Sequence, residues 1–290
     1  MTDPLVTVVV PTRDVIRTIR ACLASIRAQD YPAVQLVVVD NASTDGTFEV
    51  AAALADIAVR GGPERSAQRN RGVELASGDW VLWIDSDMVL GPDVVRLAVR
   101  TAADTGAVAV SIPEVSVGAG YWTACRALER RCYQDDPALS NPRLVHRGYL
   151  AGLGGFDPGM SGPEDADLRL RLRADGARMA YCAQALIRHD EGRLTFRSIL
   201  AKRVYYGRSL PVFAAAHPGA LRRQGAGTVR AFLRHRRRLL RDPAHLAGLL
   251  VMRLGETAAY GVGAWQGRRV LRRPAAPAGG APAGGAVGRG

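Results

Sequence analysis

The stretch Trp80-Val81-Leu82-Trp83-Ile84-Asp85-Ser86-Asp87 is an apolar run that ends in two carboxylates. Such a run is typical of a strand buried on both faces of a parallel sheet, and ligands of these sheets bind outside the carboxyl ends of the strands. Mg²⁺ takes one or two carboxylates and completes its shell with water and phosphate. The stretch therefore predicts a strand followed by a metal and phosphate site. The alternative is a solvated turn before a helix that starts at Pro92.

Two further strands are predicted to end at the same edge of the sheet. Residues 7–10 run into Pro11, and residues 35–39 run into Asp40. Between them, residues 14–28 carry apolar side chains on one helical face, which predicts a helix. A helix after Asp45, a strand near 57–59 and a helix over about 66–76 continue the alternation. This pattern predicts a doubly wound, mostly parallel α/β sheet with helices on both faces, whose crevice Pro11, Asp40 and Asp85 would share.

Six short segments, in this order, resemble glycosyltransferase family 2, whose members have the GT-A nucleotide-sugar fold. Each segment is common alone, but the order and spacing over about residues 5–190 are specific. The resemblance implies an inverting transferase that uses a nucleoside-diphosphate sugar. The segments are Val-Val-Val-Pro-Thr-Arg-Asp at 8–14, Val-Val-Asp-Asn-Ala-Ser-Thr-Asp-Gly-Thr at 38–47, Gln-Arg-Asn-Arg-Gly at 68–72, Ile-Asp-Ser-Asp at 84–87, Gly-Gly-Phe-Asp at 154–157 and Pro-Glu-Asp-Ala-Asp-Leu at 163–168.

The resemblance also implies roles on the donor side. Asp40 is expected to accept a hydrogen bond from the nucleotide base, Asp85 to lie near the ribose and the metal, and Asp87 to bind the metal. The metal, Mg²⁺ or Mn²⁺, would stabilise charge on the departing nucleoside diphosphate. Alternatively, Asp40 starts an Asx-turn before Ser43. The rest of the nucleotide pocket is expected to be lined by Pro11, Thr12, Arg13 and Asp14.

Two further donor-side residues follow from the resemblance. Arg69 is expected to hold the diphosphate, because a guanidinium group matches phosphate oxygens, although a solvated helix face explains it equally well. Gln68 departs from the alanine usual in this segment of the family. His189 lies where many GT-A enzymes place a histidine near the metal. Imidazole suits Mn²⁺ better than Mg²⁺, and the alternative for His189 is a surface histidine.

The acceptor half of the site is expected over residues 154–168. Gly154, Gly155 and Glu164 are expected to bind the acceptor, and the family pattern makes Asp165 the catalytic base that takes a proton from the acceptor hydroxyl. Asp167 is expected to be structural. Acidic residues in the first turn of a helix opened by Pro163 are also explained by the helix dipole alone.

Several function classes are disfavoured by the sequence. Gly152-Leu153-Gly154-Gly155 lacks the Gly-x-Gly-x-x-Gly spacing of a dinucleotide-binding loop, and no Walker-type motif is present. Lys202 is the only lysine, which disfavours Schiff-base chemistry. Four cysteines without metal-site spacing predict reduced, buried thiols in a cytoplasmic protein. Residues 1–4 lead directly into the first strand, so no signal peptide is predicted.

The net charge of +12 is unevenly distributed. Residues 1–191 hold 20 basic and 25 acidic side chains, whereas residues 192–290 hold 19 and 2. The basic segment 222–241 predicts contact with an anionic surface, and a membrane is favoured because no nucleic-acid-binding motif accompanies the charge. Residues 244–266 are apolar, but Arg253 and Glu256 make a membrane span too costly. An interfacial helix or a helix packed on the catalytic domain is expected instead.

The chain is accordingly expected to form a GT-A catalytic domain over residues 1–191, with a nucleotide-sugar half at 1–115 and an acceptor half at 116–191. A basic helical extension at 192–273 and a disordered Ala/Gly/Pro tail at 274–290 would follow. The predicted activity is metal-dependent transfer of a sugar to a hydroxyl of a glycan, lipid-linked or small-molecule acceptor, at the inner membrane face. The alternatives are transfer to a polyprenyl phosphate, which scarcely needs a base, and a non-catalytic nucleotide-sugar-binding membrane adaptor.

Overall fold

The computed structural model describes residues 3–134, 136–137 and 139–271, with only the backbone of residues 270 and 271. The predicted tail at 274–290 lies outside these residues. The strands are β1 Val6–Thr12, β2 Val34–Asp40, β3 Ile57–Arg60, β4 Trp80–Trp83, β5 Met88–Leu90, β6 Ala109–Ser111, β7 Glu114–Val117, β8 Pro142–His146, β9 Met179–Tyr181 and β10 Ile187–Asp190. The helices are α1 Ile16–Arg27, α2 Thr47–Leu54, α3 Arg65–Glu74, α4 Val94–Thr105, α5 Tyr121–Arg130, α6 Arg147–Gly152, α7 Glu164–Ala174, α8 Phe196–Gly207, α9 Leu210–Ala216, α10 Ala220–Arg234, α11 Arg236–Leu240 and α12 Pro243–Leu271.

The central sheet confirms the predicted fold class. In the described part of the chain it has seven strands in the order β3-β2-β1-β4-β8-β6-β9. All neighbours pair in parallel except β8, which is antiparallel to β4 and β6. Every residue of β1 is buried, and so are Val81, Leu82 and Trp83 of β4, as expected for strands covered on both faces. The carboxyl ends of β1, β2 and β4 therefore lie at one edge.

Helix α3 lies unusually close to the sheet. A Cβ atom at Gly72 would overlap the side chain of Val9 on β1, so only glycine allows this approach. The helix carries Arg65 and Arg69 on the side that meets the carboxyl edge. This packing fixes where both guanidinium groups lie.

A second, three-stranded sheet was not predicted. It has the order β5-β10-β7, with β10 antiparallel to β5 and parallel to β7. Strand β5 follows the acidic turn directly, so Asp85-Ser86-Asp87 leads into a strand before helix α4 begins at Val94. The pairing puts His189 opposite Met88, and the amide of Asp190 donates a hydrogen bond to the carbonyl of Asp87 at 2.8 Å.

The C-terminal helices pack against the part of the chain that contains the two sheets. Helix α12 contacts α5, α8 and α9. Its packed face contains Gly263 and Gly267, where Cβ atoms would overlap the carbonyl oxygens of Val204 and Arg208. Glu256, 1% exposed, forms ion pairs with Arg126 of α5 and Arg203 of α8. Residues 244–266 therefore form a helix that packs on the rest of the chain, as one of the two predicted arrangements has it.

Helix α12 has 29 residues, which is long enough in residue number for a membrane span. Among the described residues, no helix combines the length and the apolar composition that crossing a bilayer requires.

Candidate active site

A cleft of about 1130 Å³ opens at the carboxyl ends of β1 and β4 and extends to the C-terminal helices. It brings together residues from five of the sequence motifs and from regions outside them. The predicted site residues that line it are Pro11, Thr12, Arg13, Asp85, Asp87, Asp165 and His189.

Asp85 lies in the cleft and forms ion pairs with two arginines, Arg65 and Arg69. Its Oδ1 accepts a hydrogen bond from Arg69 at 3.0 Å and lies 3.8 Å from Nε of Arg65. Burial raises the pKa of the Asp85 carboxyl, but the two guanidinium groups outweigh burial and hold this pKa well below its usual range. Asp85 is therefore a carboxylate whose charge is already partly compensated by protein.

Asp87 and His189 form the second charged pair in the cleft. Nε2 of His189 lies 3.2 Å from Oδ2 of Asp87. Nε2 and the Oδ1 atom of Asp87 are buried, and neither has a hydrogen-bond partner among the described residues. Burial lowers the pKa of His189, yet the neighbouring Asp87 carboxylate outweighs it and raises the pKa above 6.5. On its other side, Nδ1 lies 3.3 Å from Arg130.

The residues present fit a divalent metal only in part. The unpartnered oxygen and nitrogen of Asp87 and His189 are suitable ligands, and metals that bind phosphate keep most of their other positions for water and substrate. Asp85, the third predicted ligand, is engaged by arginines instead. Within residues 3–134, 136–137 and 139–271, no group of three or more His, Cys, Asp or Glu side chains has a metal-binding arrangement.

Asp165 lies in the first turn of α7 and lines the cleft. Its Oδ1 accepts hydrogen bonds from Arg69 at 2.7 Å and from the Trp83 indole at 3.2 Å. Its Oδ2 lies 3.6 Å from Arg143, whose Nη1 is buried and has no hydrogen-bond partner. The carboxylate is thus oriented through one oxygen and faces the cleft.

Arg69 lies beneath the cleft and not in its lining, and its predicted contact with phosphate stays a prediction. Its side chain is fully buried, and its guanidinium group bridges Asp85 and Asp165 and lies 3.6 Å from Glu164. Arg65, one helical turn earlier, does line the cleft, and its side chain is 32% exposed. The guanidinium group available to a ligand is therefore that of Arg65.

Asp40 and Asp14 shape loops and do not line the cleft. The Asp40 carboxylate is fully buried and accepts hydrogen bonds from the Thr12 hydroxyl at 2.9 Å and the Ser43 amide at 2.8 Å, as expected if Asp40 starts a turn before Ser43. Its predicted hydrogen bond to the nucleotide base stays a prediction. Asp14 has a φ of 47° and accepts a hydrogen bond from the Thr44 amide at 2.8 Å. Asn41, the residue after Asp40, lines the cleft instead.

The predicted acceptor residues other than Asp165 also lie elsewhere. Glu164 is 1% exposed and accepts a hydrogen bond from Arg65 at 3.1 Å, beneath the cleft. Gly154 and Gly155 border a separate cavity of about 420 Å³. Their positive φ values, 79° and 71°, serve a turn that Asn70 holds through two hydrogen bonds to Phe156. The glycines are needed for this turn.

Some cleft residues were missed in the sequence. Arg65 had a usable signal, because it precedes Arg69 by four residues and so shares its helix face. Arg143 on β8 and Glu114 on β7 form an ion pair between Asp165 and His189, but neither lies in a motif. The C-terminal helices contribute the remaining wall of the cleft, which includes Lys202, Arg203, Tyr205, Tyr206, Phe213, Arg253, Thr257 and Tyr260.

The known proteins that this chain resembles are glycosyltransferases. The family model described as glycosyl transferase family 2 matches residues 7–150. A pre-mycofactocin glycosyltransferase of Mycobacterium tuberculosis is 28% identical over 232 residues, which cover 73% of this chain and 48% of that protein. The chain thus spans about half the length of this relative.

Two solved structures share the fold. One is the mannosyltransferase PcManGT from Pyrobaculum calidifontis, in complex with GDP-Man and Mn²⁺, with a TM-score of 0.60 and 23% sequence identity. The match covers 92% of this chain and 88% of the PcManGT chain. S. aureus TarS 1-349, in complex with UDP-GlcNAc, has a TM-score of 0.55 at 16% identity, with 92% of both chains covered.

Proposed function

Since this chain belongs to glycosyl transferase family 2 and has the GT-A fold, we propose that it transfers a sugar from a nucleoside-diphosphate sugar to an acceptor hydroxyl, with inversion at the anomeric carbon. One observation carries this proposal. A single cleft contains the loop after β1, the Asp87–His189 pair and the oriented carboxylate of Asp165.

The donor is assigned to the end of the cleft near β1. Pro11, Thr12 and Arg13, together with Asn41, would contact the nucleoside, and Arg65 would contact the diphosphate. The structural neighbours support a nucleoside-diphosphate sugar, since one is in complex with GDP-Man and another with UDP-GlcNAc.

A divalent cation would be held by Asp87 and His189. When bound, it supplies Lewis-acid stabilisation of the charge that develops on the departing diphosphate. Mn²⁺ is favoured over Mg²⁺ because one of the two ligands is an imidazole, and PcManGT is in complex with Mn²⁺.

Asp165 is proposed as the base. Two hydrogen bonds to Oδ1 hold its carboxylate in one orientation, which leaves Oδ2 to take the proton of the acceptor hydroxyl as that oxygen attacks the anomeric carbon. Arg69 would be a positioning residue, because it fixes Asp165 and Asp85 relative to each other from beneath the cleft.

The base assignment is tested with Asp165→Asn. The variant keeps the shape of the side chain and is expected to lower kcat by roughly 10² to 10⁴ while donor affinity, measured by calorimetry, changes little. Donor affinity that collapses while kcat survives would assign Asp165 to substrate binding. Asp175→Asn, near the C-terminal end of the same helix, is the matched control and should leave kcat unchanged.

The proposed activity itself is tested with the full chain, Mn²⁺ and a panel of uridine, guanosine and thymidine diphosphate sugars. We expect binding of at least one donor and a product whose anomeric configuration, read by NMR, is opposite to that of the donor. A product with retained configuration, or no binding of any donor in the panel, would overturn the proposal.

A further inference from the structure

Helix α12 has apolar side chains on two opposite faces, and the described residues pack against only one of them. The packed face holds Gly248, Leu249, Met252, Ala259 and Gly263, all buried against α5 and α8. A surface helix ordinarily needs one apolar stripe, toward its own core. The second stripe is therefore not required by packing among residues 3–134, 136–137 and 139–271.

We call the second stripe the outer face of α12. Successive members are three or four residues apart, or adjacent, and so lie on one side of the helix over about 27 Å. The large side chains are strongly exposed, with Leu254 at 74%, Trp265 at 54% and Leu250 at 53%. The outer face has no charged residue between its ends and consists of Ala247, Leu250, Val251, Leu254, Ala258, Gly261, Val262 and Trp265.

Positive charge is concentrated at both ends of this helix. At its C-terminal end Arg268 and Arg269 are exposed, and the guanidinium group of Arg269 lies 3.6 Å from the centre of the Trp265 ring. Just before its N-terminal end, α11 and the following turn contain four exposed arginines, with Leu240 at 67% exposure beside them. These arginines are Arg236, Arg237, Arg238 and Arg241.

We propose that the outer face of α12 docks on an anionic lipid bilayer surface. A long apolar stripe bears leucine and tryptophan and is bordered by arginines, which is the composition of helices that lie in the interface plane. Each basic residue near the surface attracts anionic headgroups and raises the binding constant for the membrane by up to about tenfold.

Charge complementarity argues against a second copy of this chain as the occupant. If two outer faces met in either orientation, an arginine cluster of one copy would lie against an arginine cluster of the other. Like charges in close juxtaposition oppose association. A surface rich in anionic headgroups meets the same clusters with opposite charge.

Helix α12 also separates this surface from the cleft. Arg253, Thr257 and Tyr260 line the cleft, whereas Leu250, Leu254 and Val262 belong to the outer face. Docking through the outer face would therefore leave the cleft wall of the helix unchanged.

The test is vesicle co-sedimentation of the full chain with phosphatidylcholine vesicles that contain or lack phosphatidylglycerol. We expect binding to the anionic vesicles only, with loss of binding as salt is raised. The variants Leu250→Gln/Leu254→Gln and Arg268→Gln/Arg269→Gln should each weaken binding about tenfold or more. The matched surface controls are Leu186→Gln and Arg100→Gln, which lie on the catalytic half and should bind as the wild type does.

Thermal unfolding of each variant shows that its fold is retained, since all four leucine and arginine positions on α12 are exposed or lie outside the packed face. No binding of the wild type to anionic vesicles, or equal binding by the α12 variants, would overturn the proposal. Sedimentation velocity tests the alternative occupant, a second copy of this chain. Self-association of the wild type that Leu250→Gln/Leu254→Gln abolishes, in a protein that does not bind vesicles, would assign the outer face to a second copy.

Discussion

Arg69 shows how one buried side chain organises both sides of a cleft. Its guanidinium group contacts Asp85 on the proposed donor side and Asp165 on the proposed acceptor side, and it is fully buried. Removing it would leave Arg65 as the arginine beside Asp85 and Arg143 as the arginine beside Asp165, so both carboxylates would lose part of their charge compensation, which is unfavourable where they are shielded from solvent. The residue thus matters for the spacing of the site as well as for its charge.

Asp87 provides the sharpest test of the metal site at this scale. We expect Asp87→Ala to abolish metal-dependent binding of the donor, because it removes the carboxylate that lies beside His189 Nε2 and has a buried oxygen without a hydrogen-bond partner. Calorimetric titration of donor with and without Mn²⁺ is the measurement. Asp104→Ala, an exposed change on α4, is the control. Full activity of Asp87→Ala, or of the wild type in EDTA, would contradict the metal assignment.

At the scale of elements, the order of strands and helices could be predicted from the sequence, but the partners of the site residues could not. The apolar runs and the turn residues between them predict β1, α1, β2, α2, β3, α3 and β4, because these signals are local. Strand β5 has three residues, and its partner His189 on β10 is distant in sequence, so no local pattern reveals the second sheet.

The same reason limits what the sequence says of the site. Asp40, Arg69 and Glu164 lie in recognisable motifs, but whether a side chain points into a cleft or beneath it depends on the packing of α3 and α7. The motifs therefore identified the neighbourhood of these three residues, and their contacts with substrate stay predictions.

The contact between α8 and α12 gives an element-scale prediction. Gly263→Ala should destabilise the protein by about 1 to 3 kcal/mol, because its methyl group would overlap the backbone of α8. Gly261→Ala, on the same helix with open space around it, should be neutral or stabilise by up to about 1 kcal/mol through helix propensity. Urea unfolding of both variants is the measurement, and equal stabilities would show that the close approach is not required.

At the scale of the whole molecule, a buried charge cluster joins the catalytic half to the C-terminal helices. Glu256 of α12 pairs with Arg126 of α5 and Arg203 of α8, and Glu129 of α5 also lies in this cluster. Burial raises the pKa of Glu256, but Arg126 and Arg203 outweigh burial, so the net shift is downward from 4.5. Because the folded pKa is below the unfolded value, Glu256 stabilises the fold above about pH 4.5, and this contribution is lost as the pH falls through the folded pKa.

We therefore expect Glu256→Gln to lower the free energy of unfolding by about 3 kcal/mol at pH 7, since it removes the carboxylate that pairs with both Arg126 and Arg203 and leaves Glu129 as the remaining carboxylate beside Arg126. The difference from the wild type should shrink between pH 4.5 and lower pH, where the wild-type carboxylate becomes protonated. Glu74→Gln, at an exposed pair with Arg71, should change stability by less than about 1 kcal/mol. A difference that is constant from pH 7 to pH 3 would contradict the assignment.

The close, glycine-lined packing of α12 has a consequence for amide hydrogen exchange. The amides of peripheral helices commonly exchange fast, because such helices fray and open locally. Here Gly263 and Gly267 bring the α12 backbone against α8, so the helix opens only if that contact and the Glu256 cluster separate together. The amides of α12 should consequently exchange with the slow kinetics of β1 and β4, and α12 should open with the central sheet as one cooperative unit.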